Sequence, residues 1–192
     1  MKNEKGLTLI ETLAVIIILG IVMIIAVPSV TKYIVRSDNA VYASNISAYL
    51  ETIKGKYEMK EYGPYLKDDE IMVVPIRHVI LEKGDTEKTP YGLYDFDRSH
   101  VLIVPERNNY AYYATIIDSE YAGIVNVRDN EIAEDTIKTD ITDEIPLLST
   151  YNTQGSTYSF KNKVYRRSDV RDITGEDINL GEKVYVFKKI GV

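Results

Sequence analysis

Hydrophobic residues are distributed differently at the start of the chain and in the rest of it. The segment Thr12–Thr31 has no charged residue and is rich in Ile, Leu and Val. About 20 apolar residues are enough for a helix to cross the hydrocarbon layer of a membrane. The pattern therefore predicts a membrane helix. Glu11 lies immediately before this segment, and because an ionised acid is costly at membrane depth, it is a candidate functional residue.

After Lys32 the pattern becomes amphipathic. Apolar residues recur at intervals of three and four positions, the spacing of one helix face, at Ala43, Ile46, Leu50, Ile53 and Tyr57. The pattern predicts one helix from Leu7 to about Glu61, whose second half must be covered by protein. Gly63 and Pro64 are expected to end it.

Beyond residue 64 the pattern is one of short apolar runs typical of β-strands. Strands are predicted at 101–104, 158–165 and 184–187, with a hairpin formed by 110–117 and 123–127. The runs 71–74 and 79–81 are interrupted by Pro75, and this region fits either a short helix or an edge strand. The segment 131–138 fits either a helical turn or a strand. The sequence predicts an α+β fold, with a long N-terminal helix packed on a C-terminal antiparallel β domain.

The residues before the apolar run form a motif. A short basic leader with Lys2 and Lys5 ends in Gly6, and Glu11 lies five residues beyond that glycine. Together with the apolar run, this motif resembles the N-terminus of a type IV prepilin, the precursor of a pilus or pseudopilus subunit. The resemblance covers about residues 2–57.

The resemblance implies a processing site and a mode of assembly. A dedicated peptidase is expected to cut between Gly6 and Leu7 and the new amino group of Leu7 to be methylated, although Leu replaces the usual Phe or Met there. Thr8 and Glu11 are implied as assembly residues. In a filament, the cationic N-terminus of an adjacent subunit would meet the Glu11 carboxylate and offset its desolvation cost.

Gly20 and Pro28 lie where many members of that family have Gly and Pro. Gly lowers helix stability, and Pro28 leaves the carbonyl of Ile24 without its usual donor. The resemblance implies that this segment can lose helical order in the fibre, and a simple kink is the alternative.

The resemblance also implies a division of the chain and a location. The expected parts are a leader (1–6), a transmembrane and assembly helix (7–61) and a globular β-rich domain (62–192). The precursor would be a single-pass membrane protein, and the assembled subunit would lie in an extracellular pilus or at the cell surface. Its partners would be other pilin subunits, the prepilin peptidase, the membrane and, indirectly, an assembly platform and ATPase.

Composition narrows the function further. The formal net charge is −6, and removing the leader's two lysines and one glutamate makes it −7, which argues against a general nucleic-acid binder. The chain has no Cys, so disulfides and thiolate metal sites are excluded. Because disulfides often close the C-terminal region of Gram-negative pilins, this composition fits the Gram-positive branch better.

No catalytic or metal-binding pattern stands out. His78 and His100 have no metal-ligand spacing and are interpreted as surface or partly buried residues, so neither an enzyme nor a cofactor is expected. The acids Asp169, Asp172, Glu176 and Asp177 surround Gly175. A solvated loop is favoured there over a calcium site.

One basic concentration carries interleaved aromatic residues. It comprises Lys161, Lys163, Arg166, Arg167 and Arg171, with Tyr158, Phe160 and Tyr165 between them. It fits nucleic-acid contact by charge and stacking, or equally the solvent-exposed face of a strand, and the acidic net charge argues against nucleic acid as a partner. The chain has 16 Tyr, 3 Phe and no Trp, and packing in a core and sheet is favoured over an adhesive face.

Several functions remain open on the sequence. The leading interpretation is a structural subunit of a type IV pilus, either a major or a minor pilin. One alternative is a pseudopilin of a type II secretion or competence DNA-uptake system. The other is a signal-anchored surface protein whose β domain binds a ligand.

Overall fold

The computed structural model describes residues 8–84, 86–142, 144–173 and 182–191. Contacts within the chain divide it into two units, Met1–Asp38 and Asn39–Val192. Helix α1 (Leu9–Glu58) contributes its first part to the former unit and its second part to the latter. The predicted long N-terminal helix is therefore present.

The end of α1 is closed by a hydrogen-bonded cap. Lys60 has a left-handed backbone with φ of 63°. The Lys60 N–H donates to the Tyr57 carbonyl and the Glu61 N–H to the Lys56 carbonyl, both at 3.0 Å. This is the Schellman arrangement, in which a left-handed residue satisfies the last helical carbonyls. The helix therefore ends at Glu58, slightly before the predicted position near Glu61.

The second unit contains an antiparallel sheet. Among the described residues its strands are β1 (Glu70–Pro75), β2 (His100–Glu106), β3 (Asn109–Ile117), β4 (Gly123–Arg128), β5 (Thr157–Phe160), β6 (Lys163–Asp172) and β7 (Lys183–Lys189). Their order is β4-β3-β2-β1-β7-β6-β5, and every neighbouring pair is antiparallel. The α+β prediction is confirmed.

The ambiguous segments are resolved by the structure. The run after Pro75 forms helix α2 (Arg77–Glu82). The 131–138 region contains the last residue of one 3-10 turn, Asp129–Glu131, and the whole of a second, Glu134–Thr136. The single strand predicted over 158–165 is instead a hairpin. Lys161 and Asn162 have φ of 47° and 61°, and a tight hairpin turn with two left-handed residues matches the twist of its strands.

One face of the sheet is covered by the second part of α1. The buried helix residues include all five of the predicted amphipathic face, Ala43, Ile46, Leu50, Ile53 and Tyr57. They belong to the same core as Met72, Val101 and Ile116 from three strands. Because burying one Ile or Leu contributes about 1.5–3 kcal/mol, this face fixes the second part of α1 to the sheet.

The opposite face carries a second core that the sequence did not predict. Alternate strand residues such as Val73, Leu102 and Phe187 point to it, and the 3-10 turn Leu148–Asn152 adds Leu148 and Tyr151. Both cores contain tyrosines, and 11 of the 16 tyrosines of the chain are buried. This agrees with the preference for core packing over an adhesive face.

The sheet curls around this second core. Strand β5 lies at one end of the strand order, yet the Phe160 ring lies 4.8 Å from the ring of Tyr113 on β3. The Tyr158 hydroxyl lies 2.9 Å from Nε2 of His100 on β2, and Lys161 Nζ donates to the Tyr113 hydroxyl at 2.6 Å. The β5 strand therefore closes over strands that are distant from it in the sheet.

We expect Gly123→Ala to lower the free energy of unfolding of the domain much more than Gly155→Ala does. Gly123 has φ of 146°, and a methyl group there would lie 2.0 Å from the Ile116 carbonyl oxygen. Gly155 also has a positive φ, 84°, but nothing within 4 Å. Left-handed strain alone costs about 1 kcal/mol, whereas strain plus the clash should cost about 3 kcal/mol or more. Urea unfolding of the full chain in detergent measures both, and equal losses would contradict the clash argument.

Candidate assembly site at the start of the helix

The first turn of α1 is organised by reciprocal hydrogen bonds between Thr8 and Glu11. The Thr8 backbone N–H donates to Glu11 Oε2 at 2.7 Å, and the Glu11 backbone N–H donates to Thr8 Oγ1 at 3.3 Å. This pairing is a capping box, which satisfies two donors that a helix start leaves without partners. The Thr8 hydroxyl also donates to the same Oε2 at 2.8 Å. Thr8 therefore fixes the position of the Glu11 carboxylate.

The two oxygens of this carboxylate differ in their surroundings. Oε2 accepts both bonds from Thr8, whereas Oε1 accepts none from any described residue. Leu9 and Ile10 beside it are 89% and 74% exposed. One oxygen of the acid is thus held within the chain, and the other accepts no hydrogen bond from the part of the chain that the structure describes.

The helix that follows presents apolar side chains to its surroundings. Large hydrophobic residues from Leu9 to Val35 are at least 40% exposed, most of them more than half. Among the described residues, α1 is the one helix long and apolar enough to cross a membrane. Exposed apolar surface on this scale needs a lipid or protein partner.

The structure keeps α1 continuous through Gly20 and Pro28. Hydroxyls near the proline bond back to helix carbonyls: Ser29 Oγ donates to the Ile25 carbonyl at 3.3 Å and Thr31 Oγ1 to the Val27 carbonyl at 3.0 Å. The Cβ position at Gly20 has open space around it. The chain therefore accommodates Pro28 within a helix, and loss of helical order at this segment remains a prediction about the assembled state.

The predicted processing residues Gly6 and Leu7 lie outside the described residues. The basic leader residues Lys2 and Lys5 do so as well. Of the predicted assembly residues, the structure brings Thr8 and Glu11 together. Sequence reasoning assigned Glu11 to pairing between subunits and missed its capping role. The signal was present, because Thr followed three residues later by Glu before an apolar run is a capping-box pattern.

The two histidines are buried within the domain, which corrects the expectation of surface or partly buried residues. His78 Nε2 lies 2.8 Å from the Tyr62 hydroxyl, and His78 Nδ1 lies 3.3 Å from Glu182. His100 Nδ1 lies 2.8 Å from the Arg98 carbonyl. Both rings are used to join elements of the fold.

The acidic residues around Gly175 are the next candidate site, and the structure describes only some of them. Gly175, Glu176 and Asp177 lie outside the described residues. Asp169 is paired with Arg171 at 2.9 Å. The parts of the chain that the structure describes hold no group of three or more potential metal ligands. The calcium alternative therefore has no support in the described segments.

The alternative in which bases of a nucleic acid stack on the interleaved aromatic rings is wrong. The interleaved aromatic residues Tyr158, Phe160 and Tyr165 are each no more than 7% exposed, because they face the second core. Two of the arginines are bound to backbone carbonyls: Arg167 donates to Tyr151 and Arg171 to Pro64. What is left is a basic strand surface without rings on which bases could stack.

Comparison with known proteins bears on the N-terminal segment. Residues 1–27 match the family model of the prokaryotic N-terminal methylation motif. No solved structure matches the chain. The match and the exposed apolar helix together support a type IV pilin-like or pseudopilin precursor, held in the membrane by a single helix. Proteins with this motif are structural subunits rather than enzymes.

We expect His100 to make the domain less stable in acid. Burial lowers the pKa of His100 to about 4 from an ordinary value of 6.5. Between these values the unfolded chain binds a proton that the folded chain does not, so stability falls as the pH is lowered. The loss at pH 4 relative to pH 7 is about 3 kcal/mol.

The measurement is urea unfolding of the full chain in detergent at pH 7, 6, 5 and 4. Carboxylates also titrate in this range, so the wild type is compared with His100→Gln at each pH. The variant should be less stable at pH 7, and the difference should shrink towards pH 4. A difference that stays constant over the series would show that His100 has an ordinary pKa.

Proposed function

We propose that this protein is a structural subunit, a major or minor pilin, of a type IV pilus. It is made as a membrane-held precursor, cleaved between Gly6 and Leu7, methylated on the new Leu7 amino group and polymerised through its hydrophobic helix. The observation that carries the proposal is a capped helix start, at which one oxygen of the Glu11 carboxylate has no partner among the described residues, inside the segment that matches the methylation motif and at the beginning of an exposed apolar helix.

The apolar helix supplies the attraction between subunits. In the precursor its side chains are satisfied by lipid, and after extraction from the membrane the same surface would be unfavourable in water. Helices of neighbouring subunits can replace the lipid contacts and bury this surface in the centre of a fibre. The β domain, whose sheet has one core on each face, would lie outside that centre.

Glu11 would determine the stagger between neighbouring subunits along the fibre. Cleavage creates a cationic amino group on Leu7, and the open Oε1 of a neighbouring Glu11 is the matching acceptor. Charged hydrogen bonds in an apolar environment are strong when both partners are present, and leaving one partner alone is costly. A subunit shifted along the fibre axis would leave the acid without its cation, so pairing favours one stagger between neighbours.

Thr8 would act as a positioning residue for this contact. It holds Oε2 by two hydrogen bonds, which would leave Oε1 as the oxygen that accepts from a neighbouring subunit. The segment between Gly20 and Pro28 would be the place where the helix lengthens or loses order in the fibre. These roles divide the chain into leader 1–6, assembly helix 7–61 and β-rich domain 62–192.

The proposal implies a set of partners for the protein and a final location outside the cell. The prepilin peptidase and the membrane act on the precursor, and other pilin subunits, with the assembly platform and ATPase behind them, act on the mature form. The assembled subunit would lie in an extracellular pilus or at the cell surface. Pseudopilins of secretion or DNA-uptake systems carry the same type of N-terminus and would use the same contacts in a shorter fibre.

We expect Glu11→Ala to be inserted and cleaved normally but to be reduced at least about tenfold in sheared surface fibres, because the neighbour's amino group loses its acceptor. Glu11→Gln separates the two roles of this residue. The amide oxygen can still accept the Thr8 N–H and cap the helix, but it carries no charge. If pairing of charges drives assembly, both variants are excluded from fibres.

The readout is an immunoblot of sheared fibres beside one of the membrane fraction, where the cleaved protein should be present at wild-type level. Glu11→Gln with normal incorporation would show that capping alone suffices. Normal incorporation of Glu11→Ala would remove the pairing claim entirely.

A further inference from the structure

A cavity in the β domain has no part in the proposed assembly. Its volume is about 290 Å³, and it opens between the β3–β4 edge, strand β5 and the segment before the Leu148–Asn152 turn. This volume lies at the lower end of the range for small-molecule sites. All the lining residues belong to the Asn39–Val192 unit.

The sheet departs from regular geometry where the cavity opens. The register of β3 and β4 shifts between Ala114 and Ile116. Opposite this shift Asn126 has a left-handed backbone with φ of 51°, and its N–H donates to Thr115 Oγ1 at 3.1 Å. Bulges of this kind redirect side chains and are common beside binding sites. Here the bulge places the Thr115 side chain in the cavity wall.

The polar groups at the base of the cavity have defined roles as hydrogen-bond donors or acceptors. His100 Nδ1 faces the Arg98 carbonyl at 2.8 Å, so it must carry the proton, and Nε2 accepts from the Tyr158 hydroxyl at 2.9 Å. The Tyr158 oxygen therefore keeps its lone pairs as acceptors. The Thr115 hydroxyl accepts from the Asn126 N–H, which leaves its own hydrogen as a donor.

Charge limits the kind of ligand. Glu144 is the one charged side chain among the described lining residues, and no Lys or Arg accompanies it. Phosphates and carboxylates would therefore find no counter-charge. Ser159 and Thr157, both exposed residues of β5, also line the cavity. Val125 and Pro146 add apolar surface.

A compact ligand that both donates and accepts hydrogen bonds at adjacent positions matches this wall. A carboxylate such as that of Glu144 can accept from two neighbouring hydroxyls at once, while Val125 and Pro146 can contact C–H groups. We propose that this cavity binds one ring of a neutral sugar, held at its rim by Glu144 and Ser159 and at its base by Thr115 and Tyr158. The site would give the exposed domain a binding activity that is independent of filament assembly.

The test uses the full chain in detergent micelles and saturation-transfer NMR. The probes are the methyl glycosides of glucose, galactose, mannose and N-acetylglucosamine, with cyclohexylamine as a cationic ring of similar size. At least one glycoside should bind with a Kd of about 10 mM or tighter. The deoxy analogue of that glycoside, which lacks one of two adjacent hydroxyls, should bind at least about fivefold more weakly.

Substitutions of lining residues test whether the glycoside binds in this cavity. Glu144→Gln and Ser159→Ala should each weaken it by about fivefold to tenfold, and because both residues are exposed neither change should disturb the fold. Ser44→Ala removes an exposed hydroxyl from α1 and should leave the affinity unchanged. The proposal is overturned if no glycoside binds at 50 mM, if both cavity variants bind as the wild type does, or if only cyclohexylamine binds.

Discussion

One helix has to satisfy two different environments, and the rest of the structure depends on that constraint. From Leu9 to Val35 its apolar side chains are exposed all around, which suits lipid or the centre of a fibre. From Tyr42 to Tyr57 its buried residues follow one face, which packs on the sheet. The continuous backbone between them links a domain that is stable in water to a segment that is not. The proposed assembly would resolve this conflict, because neighbouring copies can supply the missing apolar contacts.

In the proposed assembly, the acid at the start of the helix would give this non-directional attraction a defined geometry. Hydrophobic contact alone would allow subunits to slide, since it is roughly proportional to buried area. A carboxylate that Thr8 holds by one oxygen leaves the other for a cation, and such a pair is favourable only at close range. The capping box and the proposed intersubunit pair are compatible, because they use different oxygens of Glu11.

Periodicity allowed much of the fold to be predicted from the sequence. The apolar stretch after Glu11, the face from Ala43 to Tyr57 and the β3–β4 hairpin are local patterns, and local patterns are visible in one chain. The second core and the curled sheet were not predicted, because contacts such as Tyr158 with His100 join strands that are 58 residues apart. The capping role of Glu11 was missed for another reason: the motif drew attention to a partner in another subunit.

The most direct test of the central claim is the intact mass of this protein, isolated from cells with and without an active prepilin peptidase. The account predicts that the peptidase removes Met1 to Gly6 and that the remaining chain carries one added methyl group on Leu7. Without the peptidase, the full precursor should accumulate in the membrane fraction. A protein that retains Met1 in cells with an active peptidase would contradict the account.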